Sequence, residues 1–368
     1  MKVRSLIAST LAAATLSACG ESTAPAAAPV NQAPFIDALP ERRVPVSGVV
    51  FDPEALFYAF VTWPVNPEDP NDGAPPPALL YGLPTEIRAS VWFAQVNLLG
   101  PEGQVADSSG PSLPPWGNFQ TQGVVPDRSV VYAMRAEPTP MLSVGAGDFF
   151  PAEAGFAPIP AVPYHATTTL RPVSPTGNQC LVQAPVMVGE AGALGALAQT
   201  LSTETGTPTT VAQLVDPARG SVALVWMFAP SPVLDLFMFP SGDIAAETTV
   251  GTLYAIDWAP PSGAPGQSEM GFTATRNGVS SLGYYALVVP PGTSTGVSVS
   301  FVDTVTDEQQ GRPWIAPPFE AGGLPPGLSF ARLHAMAPVE ETPEDPYAEP
   351  YPPPDFSFLC FPDPPSEG

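Results

Sequence analysis

Proline interrupts this chain so often that long helices are excluded before any one segment is inspected. Fifty-two prolines and thirty-two glycines stand among 368 residues, and each proline removes a backbone donor and fixes φ near about −65°. A chain punctuated in this way folds into short strands and turns if it has apolar matter to bury, and stays extended if it lacks it. Here 44% of the residues are hydrophobic, nineteen phenylalanines and six tryptophans among them. That is enough for a core, so the prolines read as breaks between strands.

Short β-branched or aromatic runs bounded by Pro, Gly or Asn-Asp-Gly occur at Val44–Val50, Phe57–Trp63, Ala89–Leu99 and Ser129–Ala136. A second group begins near Ser221. There Val222–Phe228 and Val233–Phe239 read as strands buried on both faces, followed by Leu253–Trp258. Between the groups, Cys180–Val188 reads as a strand. Two helices are expected: Glu190–Leu201, with leucines at 194, 197 and 201, and Thr209–Val215, with Thr209 at its start and Pro217 just beyond its end.

The first nineteen residues give an address. Lys2 and Arg4 precede an apolar run, Leu6–Leu16, that is shorter than the roughly eighteen residues a bilayer crossing needs, and no later segment supplies such a run. Leu16-Ser17-Ala18-Cys19 resembles the lipobox at which bacterial lipoprotein signal peptides are cut. The resemblance implies a diacylglycerol on the Cys19 thiol and a mature chain that begins there. Gly20 stands where lipoproteins kept at the inner membrane commonly carry Asp, so the same resemblance implies the outer membrane, on its periplasmic or cell-surface face. The alternative is an ordinary secretory signal with Cys19 near its cleavage point. Each buried methylene contributes about 0.8 kcal/mol, so an anchor of several acyl chains holds without help from protein surface.

Charge narrows the partners. The formal net charge is −23, and without Lys2 and Arg4 it becomes −25, with all ten remaining cations arginine. Such a surface repels phosphate backbones and anionic head groups. Nucleic acid is therefore not expected as a partner. The membrane is met through the lipid, and an unknown protein or polysaccharide remains; no cofactor is implied.

Gly283-Tyr284-Tyr285-Ala286-Leu287-Val288-Val289-Pro290-Pro291-Gly292-Thr293 leads into Val297-Ser298-Val299-Ser300-Phe301, a strand, a Pro-Pro-Gly turn and an alternating strand. This resembles the closing hairpin of carboxypeptidase regulatory-like modules, which have a transthyretin-like β-sandwich fold. A fainter copy runs through Gly117-Asn118-Phe119, Val124-Val125-Pro126-Asp127 and Ser129–Ala133, and Val46–Asp52 fits the way such modules open. The resemblance implies a mainly β protein with two β-sandwich (transthyretin- or Ig-like) modules and a scaffold role. The expected organisation is a signal peptide over residues 1–18, a lipidated cysteine and tether over 19–40, modules over 41–140 and 219–304, an insert with short helices over 141–218, and a Pro-rich acidic arm over 305–368. Residues 338–368 hold ten prolines and eight acidic residues without a cation.

After maturation Cys180 and Cys360 remain, in a compartment that permits a disulfide. Pairing them closes a loop of about 180 residues, worth on the order of 5 kcal/mol in chain entropy; two buried thiols are the alternative.

The residue types that carry catalysis are sparse. His165 and His334 are the two histidines, too few for a His-rich zinc site, and each reads as a half-buried polar residue at a strand end. Gly292-Thr293-Ser294-Thr295-Gly296 matches G-x-S-x-G, but a nucleophile elbow leads into a helix, whereas a strand is expected here. Ser294 thus reads as a turn residue. Asn66–Gly73 is an acidic turn in which Asp69, Asn71 and Asp72 are the candidate calcium ligands, although the later bidentate Glu is missing. Trp63, Trp92, Trp116, Trp226, Trp258 and Trp314 divide between core and a sugar-stacking surface. The function expected is a non-enzymatic envelope lipoprotein displaying binding or structural modules. An envelope-assembly or secretion-system component is the alternative, and a serine hydrolase through Ser294 ranks behind both.

Overall fold

The structure is a computed structural model describing residues 43–62, 88–127, 129–144, 157–160, 163–175, 180–230, 240–293, 296–307 and 311–338. The chain divides into residues 1–42 and 43–368, and all described residues belong to the second unit. In its first part lie β1 (Val46–Val49), helix α1 (Pro53–Val61), β2 (Val91–Trp92), β3 (Gln95–Leu99), β4 (Val105–Pro111), β5 (Asn118–Gln120), β6 (Tyr132–Glu137) and β7 (Ser143–Val144). Then come β8 (Tyr164–His165), β9 (Thr167–Val173), β10 (Leu181–Gln183), β11 (Val188–Gly189), helix α2 (Ala193–Thr205), helix α3 (Val211–Leu214) and a 3₁₀ turn (Pro217–Arg219). The last part holds β12 (Ser221–Phe228), β13 (Ile244–Thr248), β14 (Thr252–Trp258), β15 (Phe272–Arg276), β16 (Tyr284–Val289), β17 (Val297–Asp303), β18 (Phe319–Ala321) and β19 (Gly327–His334). The protein is mainly β.

One nine-stranded sheet, in the order β15-β14-β16-β12-β19-β9-β6-β3-β4, is the central layer. Met134, Thr169, Phe330 and Leu224 are cross-strand neighbours through successive pairs and so share one face. On that face the small sheet β10-β1-β5 covers β3 and β6, burying Val46 and Phe119 against Val96, Leu98 and Met134. Farther along the same face α1 and α2 cover Leu224, Trp226, Tyr284 and Phe272. The opposite face packs Ala223, Val225, Tyr285 and Leu287 on the sheet β13-β17-β18, which contributes Ile244, Val299, Phe301 and Phe319. β12 is accordingly buried on both faces, as its unbroken apolar sequence predicts.

Several expectations are corrected. Phe57–Trp63 is not a strand: Asp52 accepts from the backbone nitrogens of Glu54 and Ala55 at 2.8 and 3.1 Å, Pro53 occupies the first turn, and the helix α1 follows. The capping residues outweigh the aromatic, β-like composition. Tyr284–Val289 and Val297–Phe301 are two strands, but not a hairpin. β16 pairs with β12 on one edge and β14 on the other, so no edge is left for β17, which crosses to pair with β13 and β18. The fainter copy fails likewise, since β5 pairs with β1 while β6 lies between β3 and β9.

The alternation itself holds: Val297, Val299 and Phe301 are buried while Ser300 is exposed. Nor does the chain loosen after Asp303. β19 pairs with β12 over eight positions and with β9 over three, both in parallel, and Leu328, Ser329, Phe330 and Ala331 are buried. The flanking prolines had hidden a strand from the middle of the sheet. One sheet thus crosses the boundaries expected at 140, 218 and 304. The strand expected at Val233–Phe239 lies outside the described residues.

Candidate functional site

Two neighbouring constellations hold the described groups of greatest chemical interest, and β8 joins them because successive strand side chains point to opposite sides. Tyr164 turns inward. Its hydroxyl donates to Asp52 Oδ2 at 2.9 Å, while Asp52 Oδ1 caps α1. Two residues on, Glu54 Oε1 accepts from the Tyr284 hydroxyl at 2.6 Å, and both its oxygens face the Ala193 nitrogen that opens α2, at 3.2 and 3.1 Å. Asp52 and Glu54 are each 1% exposed. Burial pushes the Asp52 carboxyl from its ordinary 3.8 to about 6. Burial, with the Asp52 charge beside it, pushes Glu54 from 4.5 to about 8. Burial, reinforced by the neighbouring carboxylates, also holds the Tyr164 and Tyr284 hydroxyls well above their usual range. A side chain at Gly192 would collide with Glu54 Oε2. The cluster closes on itself and fastens α1 to β8, β16 and α2.

His165 turns the other way, into a cleft of about 320 Å³. The cleft lies where the parallel strands β9, β19 and β12 begin, and α3 with the 3₁₀ turn forms its wall. Its polar lining is Arg135, His165 and Asp216; Val215, Pro217 and Leu328 supply apolar surface. His165 Nε2 lies 2.8 Å from Glu190 Oε1, and Glu190 is itself held by its backbone nitrogen on the Pro163 carbonyl at 3.1 Å. Arg135 Nε lies 3.2 Å from Glu137 Oε1 without hydrogen-bond geometry. Asp216 Oδ1 accepts from Ala218 N at 2.9 Å and so starts the 3₁₀ turn. Gly327, at φ +88°, keeps the opposite wall close: a β-carbon there would press on Pro217 and the Val215 carbonyl.

Cys19, Asp69, Asn71, Asp72, Ser294 and Cys360 are outside the described residues. Cys180, just before β10, is described and is not free. The element after Gly292–Gly296 is β17, a strand as expected. His334 ends β19, six residues beyond the Leu328 that lines the cleft, and thus about 20 Å along the strand from it; the two histidines do not share a site. Among the described residues no group of three or more His, Cys, Asp or Glu could hold a metal ion.

None of the five described tryptophans is exposed. Trp226 stacks on Tyr284 at 4.2 Å, Trp258 donates to the Met270 carbonyl at 2.7 Å, and Trp314 lies under the Arg312 guanidinium at 4.4 Å. Sequence reasoning missed Asp52, Glu54, Arg135 and Asp216. For the first two a signal existed in Asp52-Pro53-Glu54, which is an N-cap, a first-turn proline and a first-turn acid.

No protein family's sequence profile matches this chain, and no curated protein does. Among solved structures, "The Bacillus anthracis TIE protein" is similar over 80% of this chain and 34% of its own length, at 6% identity and a TM-score of 0.18. The chain thus spans about a third of that protein, and a likeness this weak carries no argument about fold or function.

Proposed function

We propose that the chain is an exported lipoprotein, held at the outer membrane by acyl chains on Cys19, whose β-rich domain is displayed as a non-enzymatic binding or structural module. The observation that carries this reading is the leader: two cations, an eleven-residue apolar run and Leu16-Ser17-Ala18-Cys19. A net charge of −25 after removal of the leader's two cations supports a domain that stands off the membrane on its lipid. A disulfide between Cys180 and Cys360 belongs to the same proposal, since export permits it. So does a β-sandwich arrangement, which the packing of β12, β14 and β16 on β13 and β17 supports.

The test is metabolic labelling with a fatty acid, followed by membrane fractionation. Wild type is expected to label and pellet with the membrane, and Cys19→Ala to do neither. A Cys19→Ala chain that labels and pellets like wild type overturns the proposal.

A further inference from the structure

We propose that the cleft at the start of β9, β19 and β12 binds a small zwitterion of the amino-acid class, its carboxylate on Arg135 and its ammonium on Asp216, with an apolar side chain against Val215 and Pro217. This deepens the binding reading above and rests on that reading, though not on the lipid anchor.

The argument begins with charge. In a chain at −23 the polar lining of this cleft is balanced, one guanidinium and one carboxylate together with the His165 imidazole. A simple anion meeting Arg135 would also face Asp216 and, just behind, Glu137 and Glu190. A simple cation meeting Asp216 would face Arg135. A molecule bearing both charges satisfies both residues at once, and partners left unpaired on desolvation are costly.

Hydrogen-bonding capacity points the same way. Among the described residues Arg135 meets Glu137 through a misaligned Nε, and its two terminal nitrogens remain for a bidentate carboxylate. His165 Nε2 is taken by Glu190 Oε1 at 2.8 Å. Asp216 spends Oδ1 on the Ala218 nitrogen and keeps Oδ2. A free carboxylate oxygen and a forked donor are what an ammonium and a carboxylate on one small molecule require.

Size and walls complete the fit. A volume of about 320 Å³ is at the small end of ligand pockets, roughly 300 to 1,000 Å³. Val215 and Pro217 offer an apolar surface to a side chain.

Isothermal titration of the full chain in detergent decides the matter, with L-leucine, 4-methylpentanoate and 3-methylbutylamine as probes. The two analogues are leucine without its ammonium and without its carboxylate. Leucine is expected to bind saturably, with each analogue at least tenfold weaker. Arg135→Gln and Asp216→Asn are each expected to weaken leucine at least tenfold while leaving the thermal midpoint unchanged, since Asn keeps the oxygen that caps the 3₁₀ turn. Absence of saturable leucine binding, an analogue equal to leucine, or both variants binding like wild type overturns the proposal. Labelling and fractionation of Cys19→Ala are unaffected by any of these results, so the envelope reading and this one fail separately.

Discussion

Both carboxyl oxygens of Glu54 reach the backbone nitrogen of Ala193, 139 positions later in the chain, at 3.2 and 3.1 Å. One side chain thereby closes the start of α2 while its own helix begins two residues earlier at Asp52. The contact is buried, and Tyr284 supplies the remaining hydrogen bond. Removing the carboxyl leaves a buried hydroxyl and a buried N–H without their acceptor. Glu54→Leu is therefore expected to destabilise by about 1–3 kcal/mol per orphaned group, read as a lower urea midpoint at pH 6. Glu54→Gln keeps an acceptor and is expected to cost far less.

Proton linkage at the same cluster gives a pH profile opposite to ordinary acid denaturation. Asp52 rises from 3.8 to about 6 and Glu54 from 4.5 to about 8 on folding, so the folded state binds protons more tightly than the unfolded one. The contribution is fully present below the unfolded values of 3.8 and 4.5, where both groups are protonated in either state, and is lost as pH rises to about 6 for Asp52 and about 8 for Glu54. Urea midpoints from pH 4 to 9 are expected to fall across that window, and Glu54→Gln to flatten the upper part. A midpoint that climbs between pH 5 and 8 in wild type would contradict the assignment.

Gly192 sits against that contact: a methyl group there would occupy the space of Glu54 Oε2. Gly192→Ala is expected to cost about 1–3 kcal/mol as an overpacked site. In the Glu54→Ala background the same substitution is expected to cost much less, a coupling that a double-mutant cycle measures.

Asp303 and Arg312 form the ion pair in the second core, with 0% and 7% of their side chains exposed. Burial pushes the Asp303 carboxyl up, but hydrogen bonds from Arg312 and from the backbone nitrogens of Trp314 and Val305 outweigh it and hold it below its usual range. Asp303→Ala leaves a buried guanidinium uncompensated, for an expected loss of about 3–5 kcal/mol. Thermal unfolding followed by tryptophan fluorescence would report it through the neighbouring Trp314.

Sequence reading reached what is local. The apolar run of β12, the alternation of β17 and the short helix ahead of Pro217, capped by Thr210 one residue after the Thr209 expected to start it, each follow from spacing within a few residues. α1 was misread because Phe57, Tyr58, Phe60 and Val61 are strand formers by composition, while the cap that decides the matter sits before them at Asp52. β17 was joined to β16 because sequence neighbours usually pair, yet both edges of β16 are taken by strands that pairing rules alone do not identify. The cleft was unreadable for a similar reason. Arg135, His165, Asp216 and Leu328 come from four separate elements, and their meeting is set by the parallel register of β9, β19 and β12.

β19 stands in the middle of the main sheet although it is its last strand in sequence. Take it away, and the order separates into β15-β14-β16-β12 and β9-β6-β3-β4, each with a raw hydrogen-bonding edge facing the gap. A chain emerging amino-terminus first can assemble those two halves but cannot join them until Gly327–His334 arrives, because both seams run through that one segment. Completion of the domain is thereby tied to the emergence of its final strand, and a chain stopped short of Gly327 holds two open sheets whose exposed edges invite association with other copies.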